Sequence, residues 1–197
     1  MSRTKAIIFD FDGVIVASNE LRFGIDHKHN PELTFDEWRN TNFGKIKTAK
    51  TNVVLTDSNF FEEYEKRIES YSPFFGIQEL IKDIAETNKL FIITRTPEKI
   101  IRNYLRHYCI ESYFELILSS ESGHNKAEEF KRIFREFDVT SNNVLFLTDT
   151  TDDIDDARTV DVRSIAVTWG QHTREKLLSV RPYGIIDRPG ELIDYLE

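Results

Sequence analysis

The sequence predicts an α/β fold: a doubly wound parallel sheet around a Rossmann-like core, with an inserted small α-helical cap. Three observations predict it. Short apolar runs alternate with helical stripes along most of the chain, and that alternation lapses only between about residues 17 and 75. Acidic, hydroxyl or basic residues stand directly after the apolar runs, where the strand ends of such a sheet gather at a topological switch point. The expected division is a core formed by residues 1–16 and 76–197 and a cap formed by 17–75.

The first strand is Ala6 to Phe9, too short for a helix, and it ends on Asp10-Phe11-Asp12-Gly13. Residues i and i+2 of an extended backbone share a face, so both carboxylates can point at one spot, where repulsion separates their proton affinities. One can then act as a nucleophile while the other holds a proton. A plain turn uses Asp and Gly for local reasons, so this reading leans on the other strand ends.

From Ala17 to Phe75 the signals are helical. Thr34-Phe35-Asp36-Glu37 forms a capping box opening onto Trp38, and Phe60, Phe61, Tyr64 and Ile68 recur at helical spacing. His27 and His29 alternate in a polar stretch with no further ligand nearby and read as surface rather than as a metal pair.

The regular pattern resumes at Gly76. Ile77, Leu80, Ile81, Ile84 and Ala85 form a helix stripe, and Leu90 to Ile93 read as a strand ending in Thr94-Arg95-Thr96-Pro97. Thr96 is expected to cap the next helix with Pro97 at its first position, which would bring a hydroxyl and a helix N-terminus together as an anion site. That helix carries Ile100, Ile101, Tyr104, Leu105 and Tyr108, and the strand Leu116 to Ser119 follows. Lys126 opens an amphipathic helix through Ala127, Phe130, Ile133, Phe134 and Phe137. A lysine in a first turn opposes the macrodipole, which suggests a compensating anion.

The strand Val144 to Leu147 runs into Thr148-Asp149-Thr150-Thr151-Asp152-Asp153-Ile154-Asp155-Asp156. Helix N-termini favour aspartates, which accounts for Asp155 and Asp156 better than for Asp149. A dense acidic cluster needs compensation, and magnesium prefers one or two carboxylates with water and phosphate oxygens. The strand Ser164 to Thr168 leads to Trp169-Gly170, and a closing strand and helix are expected over Gly184 to Leu192.

In this order the motifs resemble the four signatures of the haloacid dehalogenase-like (HAD) superfamily, in its phosphoglycolate phosphatase-like branch with a small helical cap. The resemblance implies that Asp10 is the nucleophile, Asp12 the general acid and base, Thr94 a phosphoryl ligand and Lys126 the motif-three lysine. It implies that Asp10, Asp12, Asp149 and Asp153, with Asp152 as the alternative to Asp153, hold Mg2+. Arg95 stands where the family more often has a small polar residue, and is expected to touch an anionic substrate group or to pair with cap acids. Asn42-Phe43-Gly44-Lys45 resembles the family's substrate-selecting loop, making Lys45 a leaving-group contact. Thr148 replaces the usual Gly, and Ala17 a frequent Asp. The implied activity is magnesium-dependent hydrolysis of a small phosphate monoester through an aspartyl-phosphate. The alternatives are a phosphomutase of the same family and a catalytically silent HAD-fold binding module. A receiver domain uses the same residue types in a different order.

Composition sets the remaining bounds. The 197 residues are 40% hydrophobic, enough for one globular core plus an insertion. Lys and Arg number 26 against 34 Asp and Glu, a net charge of -8, which argues against a general affinity for nucleic acid; the small phosphorylated metabolite that the resemblance implies would have to be drawn in by local positive charge. Cys109 is the single cysteine, expected as a small buried hydrophobe near a helix end, and it fits a reducing compartment. No window resembles a signal-peptide core or a membrane span, so a cytoplasmic protein with no membrane partner is expected.

Overall fold

A computed structural model describes residues 4–41 and 59–196. Six strands pair in parallel in the order β3-β2-β1-β4-β5-β6, with β1 at Ala6–Phe9, β2 at Lys89–Ile93, β3 at Phe114–Leu118, β4 at Val144–Thr148, β5 at Arg163–Val167 and β6 at Gly184–Ile186. Chain direction across the sheet reverses between β1 and β4, so the carboxyl ends of these two central strands border the switch crevice.

Period-two alternation in β1 builds the two layers. Ile7 and Phe9 face a cluster completed by α4 (Ile77–Ala85) and α5 (Glu98–His107), through Leu80, Ile81, Ile101 and Tyr104. Ala6 and Ile8 face the opposite cluster, completed by Phe130 and Ile133 of α6 (Lys126–Phe137) and Ala157 of α7 (Thr151–Arg158). Both faces of every central strand are therefore covered, which explains their unbroken apolar runs. A last helix, α8 (Arg174–Ser179), packs Leu177 against Ile154 and Ala166.

The insertion is helical. It contains α1 (Asn19–His29), α2 (Phe35–Arg39) and α3 (Phe60–Ile68) between β1 and α4. The expected capping box is present at Thr34 and Glu37. Leu21 and Ile25 of α1 and Phe60, Tyr64 and Ile68 of α3 join the same apolar cluster as Phe9 and Phe11. Among the described residues no helix is long and apolar enough to cross a membrane.

Several local expectations are corrected. Thr96 does not cap α5. The N-cap is Pro97, and the leading N–H of Glu98 donates to the Glu121 carboxylate at 3.1 Å, so a native acid already fills the proposed anion site. Cys109 is exposed, not buried. It takes the left-handed turn after α5 (φ 56°), while Ile110 folds back to bond Leu105 O at 2.9 Å and is buried in its place. β3 begins two residues earlier than expected because Phe114 pairs with Leu90 ahead of a register shift. The closing helix over Pro189–Tyr195 is a 3₁₀ helix. His27 and His29 are both exposed, and His27 Nδ1 lies 2.9 Å from Leu33 O.

Ile8 is fully buried at the centre of the sheet, whereas Leu178 is 49% exposed. In urea unfolding Ile8→Ala should lower stability by about 2–5 kcal/mol, and Leu178→Ala by no more than about 0.5 kcal/mol.

Candidate active site

Strand register sets the site. Phe9 pairs with Ile92 of β2 and Leu147 of β4, so Asp10, Thr94 and Asp149 emerge at nearly one level on the carboxyl edge. The Asp10 N–H still donates to Leu147 O at 2.9 Å, and the Thr94 N–H to Leu118 O at 2.9 Å. Just beyond, Asp10, Asp12, Thr94, Lys126, Asp149 and Asp153 border one cavity of about 400 Å³. Arg95 and Asp152 also line it, while Lys45 lies outside the described residues.

Lys126 is the charge centre. It follows Asn125, which with Glu128 forms a capping box that fixes the start of α6 and aims the side chain inward. Its ammonium donates to Asp10 Oδ2 at 2.8 Å and to Asp153 Oδ2 at 2.6 Å. Burial works against that charge, yet the two carboxylates hold the ammonium above its ordinary value. Burial also pushes Asp10 well up, against the pull of Lys126, and the nearby Asp153 and Asp149 push it further. Asp153 ends well below the usual range, because Lys126 and a 3.0 Å bond from the Thr148 hydroxyl outweigh its burial. Thr148 thus serves the site with its side chain where the family signature has a glycine.

Asp149 is wedged between two glycines. A Cβ at Gly13 (φ 71°) would lie 1.9 Å from Asp149 Oδ2, and one at Gly170 would lie 2.1 Å from Asp149 Cβ. Both positions need glycine for close approach. The carboxylate accepts the Gln171 N–H at 2.7 Å, and burial still pushes its pKa up to about 6.

Asp12 shares the strand end with Asp10 but not its partners. Its Oδ1 accepts from the Ser18 hydroxyl at 2.7 Å and from the Tyr64 hydroxyl, and its Oδ2 accepts from the Thr96 hydroxyl at 2.5 Å. The buried Thr94 hydroxyl accepts the Thr96 N–H at 3.3 Å. Arg95 is exposed and turns toward α6, donating to His124 O at 3.0 Å and to Glu129 at 3.4 Å.

Sequence reasoning missed several contributors. Tyr64 read only as a core position of α3, and Thr96 as a cap. Gln171 and His172 carry no pattern, yet Gln171 bonds Asp149 and the His172 ring accepts the Thr151 N–H at 3.0 Å. Gly170, in the turn shortly after β5, was the available signal for that loop. Arg22, on the first turn of α1, lines the cavity, and among the described residues its guanidinium makes no hydrogen bond or ion pair. Burial opposes its charge, but Asp12, Tyr64, Asp149 and Asp26 raise its pKa.

The donor set fits a hard divalent cation. Asp10, Asp12, Asp149 and Asp153 outnumber Lys126 and Arg22 around one cavity, and burial, with a smaller push from neighbouring carboxylates, raises the pKa of Asp10 and Asp149. Among the described residues no three His, Cys, Asp or Glu side chains form a ready-made cage. Magnesium does not need one, since it keeps waters and takes one or two carboxylates.

A curated phosphoglycolate phosphatase of Synechococcus elongatus is 21% identical over 202 residues, covering 96% of this chain and 95% of that protein. The pyrophosphatase PpaX of Bacillus mycoides is 21% identical over 212 residues, covering 98% and 97%. The magnesium-bound HAD-hydrolase YfnB of Bacillus subtilis superposes with a TM-score of 0.75 over the whole of both chains at 18% identity. The family model for haloacid dehalogenase-like hydrolases matches residues 7–167, and with four strand ends delivering their acid, hydroxyl and lysine groups to one cavity, the chain belongs to that family.

Proposed function

We propose that the protein is a magnesium-dependent phosphatase that hydrolyses a small phosphate monoester through an aspartyl-phosphate on Asp10. The observation that carries this reading is the separation of the two acids. Asp10 is tied to Lys126, while among the described residues Asp12 is held by hydroxyls alone. Two carboxylates at one strand end with different surroundings suit different tasks.

In this reading Lys126 screens the phosphoryl dianion as it approaches Asp10, and the Thr94 hydroxyl and strand-end N–H groups hold its oxygens. The Asp10 carboxylate bonds phosphorus while the bond to the leaving oxygen breaks, and that oxygen takes the proton from Asp12. Asp12 then removes a proton from water, which attacks phosphorus and frees Asp10. Asp10 and Asp149 are the residues best placed to hold Mg2+, and Asp153 to orient Lys126. The bound cation would neutralise charge on the phosphoryl oxygens. Residues 17–75 would act as a cap over a core of 1–16 and 76–197, and the single exposed thiol of Cys109 suits a reducing, cytoplasmic setting.

Arg22 bears on the substrate. A guanidinium inside the cavity with no ion pair among the described residues is a ready partner for a second anionic group on the leaving side. Phosphoglycolate and pyrophosphate, in the names of the two relatives, both carry such a group.

Phosphate release from p-nitrophenyl phosphate and from 2-phosphoglycolate should require magnesium and stop with excess chelator. Asp10→Asn should lower turnover by a factor on the order of 10³ or more with an unchanged circular dichroism spectrum; turnover retained in that variant sinks the assignment. Arg22→Gln should raise KM for 2-phosphoglycolate by about 10- to 100-fold, well beyond its effect on p-nitrophenyl phosphate. A proportional loss on both esters would instead make Arg22 a counter-charge for the site acids.

A further inference from the structure

The insertion reaches into the chemistry at one atom. A carboxylate oxygen has two lone-pair sites, and both sites of Asp12 Oδ1 are taken, by the hydroxyls of Ser18 and Tyr64. Among the described residues Asp12 Oδ2 accepts only the Thr96 hydroxyl, at 2.5 Å, and so retains one site. Ser18 and Tyr64 belong to the insertion, and Thr96 to the loop after β2. Tyr64 is 1% exposed, its ring stacks on Phe60 at 5.8 Å, and it sits on the buried stripe of α3. Its rotamer is thus fixed by packing, and its hydroxyl has no competing solvent.

We propose that Tyr64 is a positioning residue: with Ser18 it fills Asp12 Oδ1, fixes the carboxyl plane, and leaves Oδ2 as the oxygen that exchanges a proton with the leaving group. The inference rests on the phosphatase reading and adds to it which oxygen works and which side chain holds it. Tyr64 itself transfers nothing. The proton passes from Asp12 Oδ2 to the ester oxygen as the phosphorus–oxygen bond breaks, leaving the Asp12 carboxylate. Because α3 carries the donor, Asp12 is aligned only while the insertion is seated on the core.

A leaving-group comparison tests it. p-Nitrophenolate departs as a stable anion and needs little help from an acid, whereas the alkoxide of 2-phosphoglycolate needs the proton as it leaves. Tyr64→Phe keeps the ring and its packing and removes only the hydroxyl. Its kcat/KM on 2-phosphoglycolate, which reads the phosphoryl-transfer step apart from the later attack of water, should fall roughly tenfold or more, with a clearly smaller fall in kcat/KM on p-nitrophenyl phosphate. Ser18→Ala, which removes the other donor to Oδ1 from outside the packed stripe, should show the same selectivity and serves if Tyr64→Phe folds poorly. Equal losses on both esters would assign Tyr64 a merely structural role, and no loss on either would remove it from the reaction; both outcomes overturn the inference. Failure of the phosphatase reading looks different, because the unaltered protein would then release phosphate from neither ester, and the inference would fall with it.

Discussion

The structure depends on burying more negative than positive charge at one edge of an apolar sheet. Asp10 and Asp153 share a single ammonium, and among the described residues Asp149 sits beside them with only a main-chain N–H for direct support. Such a cluster is costly in a medium that solvates ions poorly. Lys126 is the hinge of the arrangement, because without it two carboxylates would face each other with no counter-charge. The rest of the fold serves that placement. β1 and β4 must stay in register, α6 must begin at Lys126, and Gly13 and Gly170 must lack side chains so that the backbone can close on Asp149. The apolar layers on both faces supply the stability against which this edge is strained.

Two further relations follow from this constraint. Thr148 continues β4 to the last residue before the acids, and its hydroxyl adds a donor to Asp153, reinforcing its ionised state. Arg95 is spent on the wall of the site, tied to the start of α6 through His124 O and Glu129. It therefore steadies the segment that carries Lys126. Of the two arginines bordering the cavity, Arg22 is the one that makes no hydrogen bond or ion pair among the described residues.

Much of this was legible in the sequence, for a definite reason. Strands buried on both faces must be apolar, so a carboxylate or hydroxyl at their ends stands out, as Asp10, Thr94 and Asp149 do. Helix starts obey local chemistry, so the Thr34 box and Lys126 at the head of α6 could be read directly. The remainder consists of hydrogen bonds between residues far apart in the chain. Thr96 has the residue type of a cap and the position of one, yet its hydroxyl goes to Asp12, 84 residues away. Tyr64 occupies a core position of a regular stripe, and periodicity registers its ring but not its hydroxyl. Cys109 failed differently: a small apolar residue after a helix suggests burial, but the left-handed turn directs burial to Ile110.

Thr96 bonds Asp12 within the core, whereas other long-range bonds join the insertion to the acids from two sides at once. Ser18 and Tyr64 reach Asp12 from the insertion, while the loop after β5 touches Asp149 through the Gln171 N–H and grips the insertion through the Gln171 side chain, at 3.3 Å from both Trp38 O and Thr41 O. Arg39 of α2 closes the same seam by donating to Gln171 O at 2.8 Å and Gly170 O at 3.3 Å. Lifting the helices would therefore release a donor from Asp12 and loosen the loop that holds Asp149 in one motion. Asp10 and Asp153 would keep Lys126, since every group in that triad lies on the core side. A site divided in this way keeps the Asp10–Lys126–Asp153 triad intact at all times and completes the arrangement around Asp12 only with the insertion in place. That order suits an enzyme that must not protonate or hydrolyse before its substrate is enclosed.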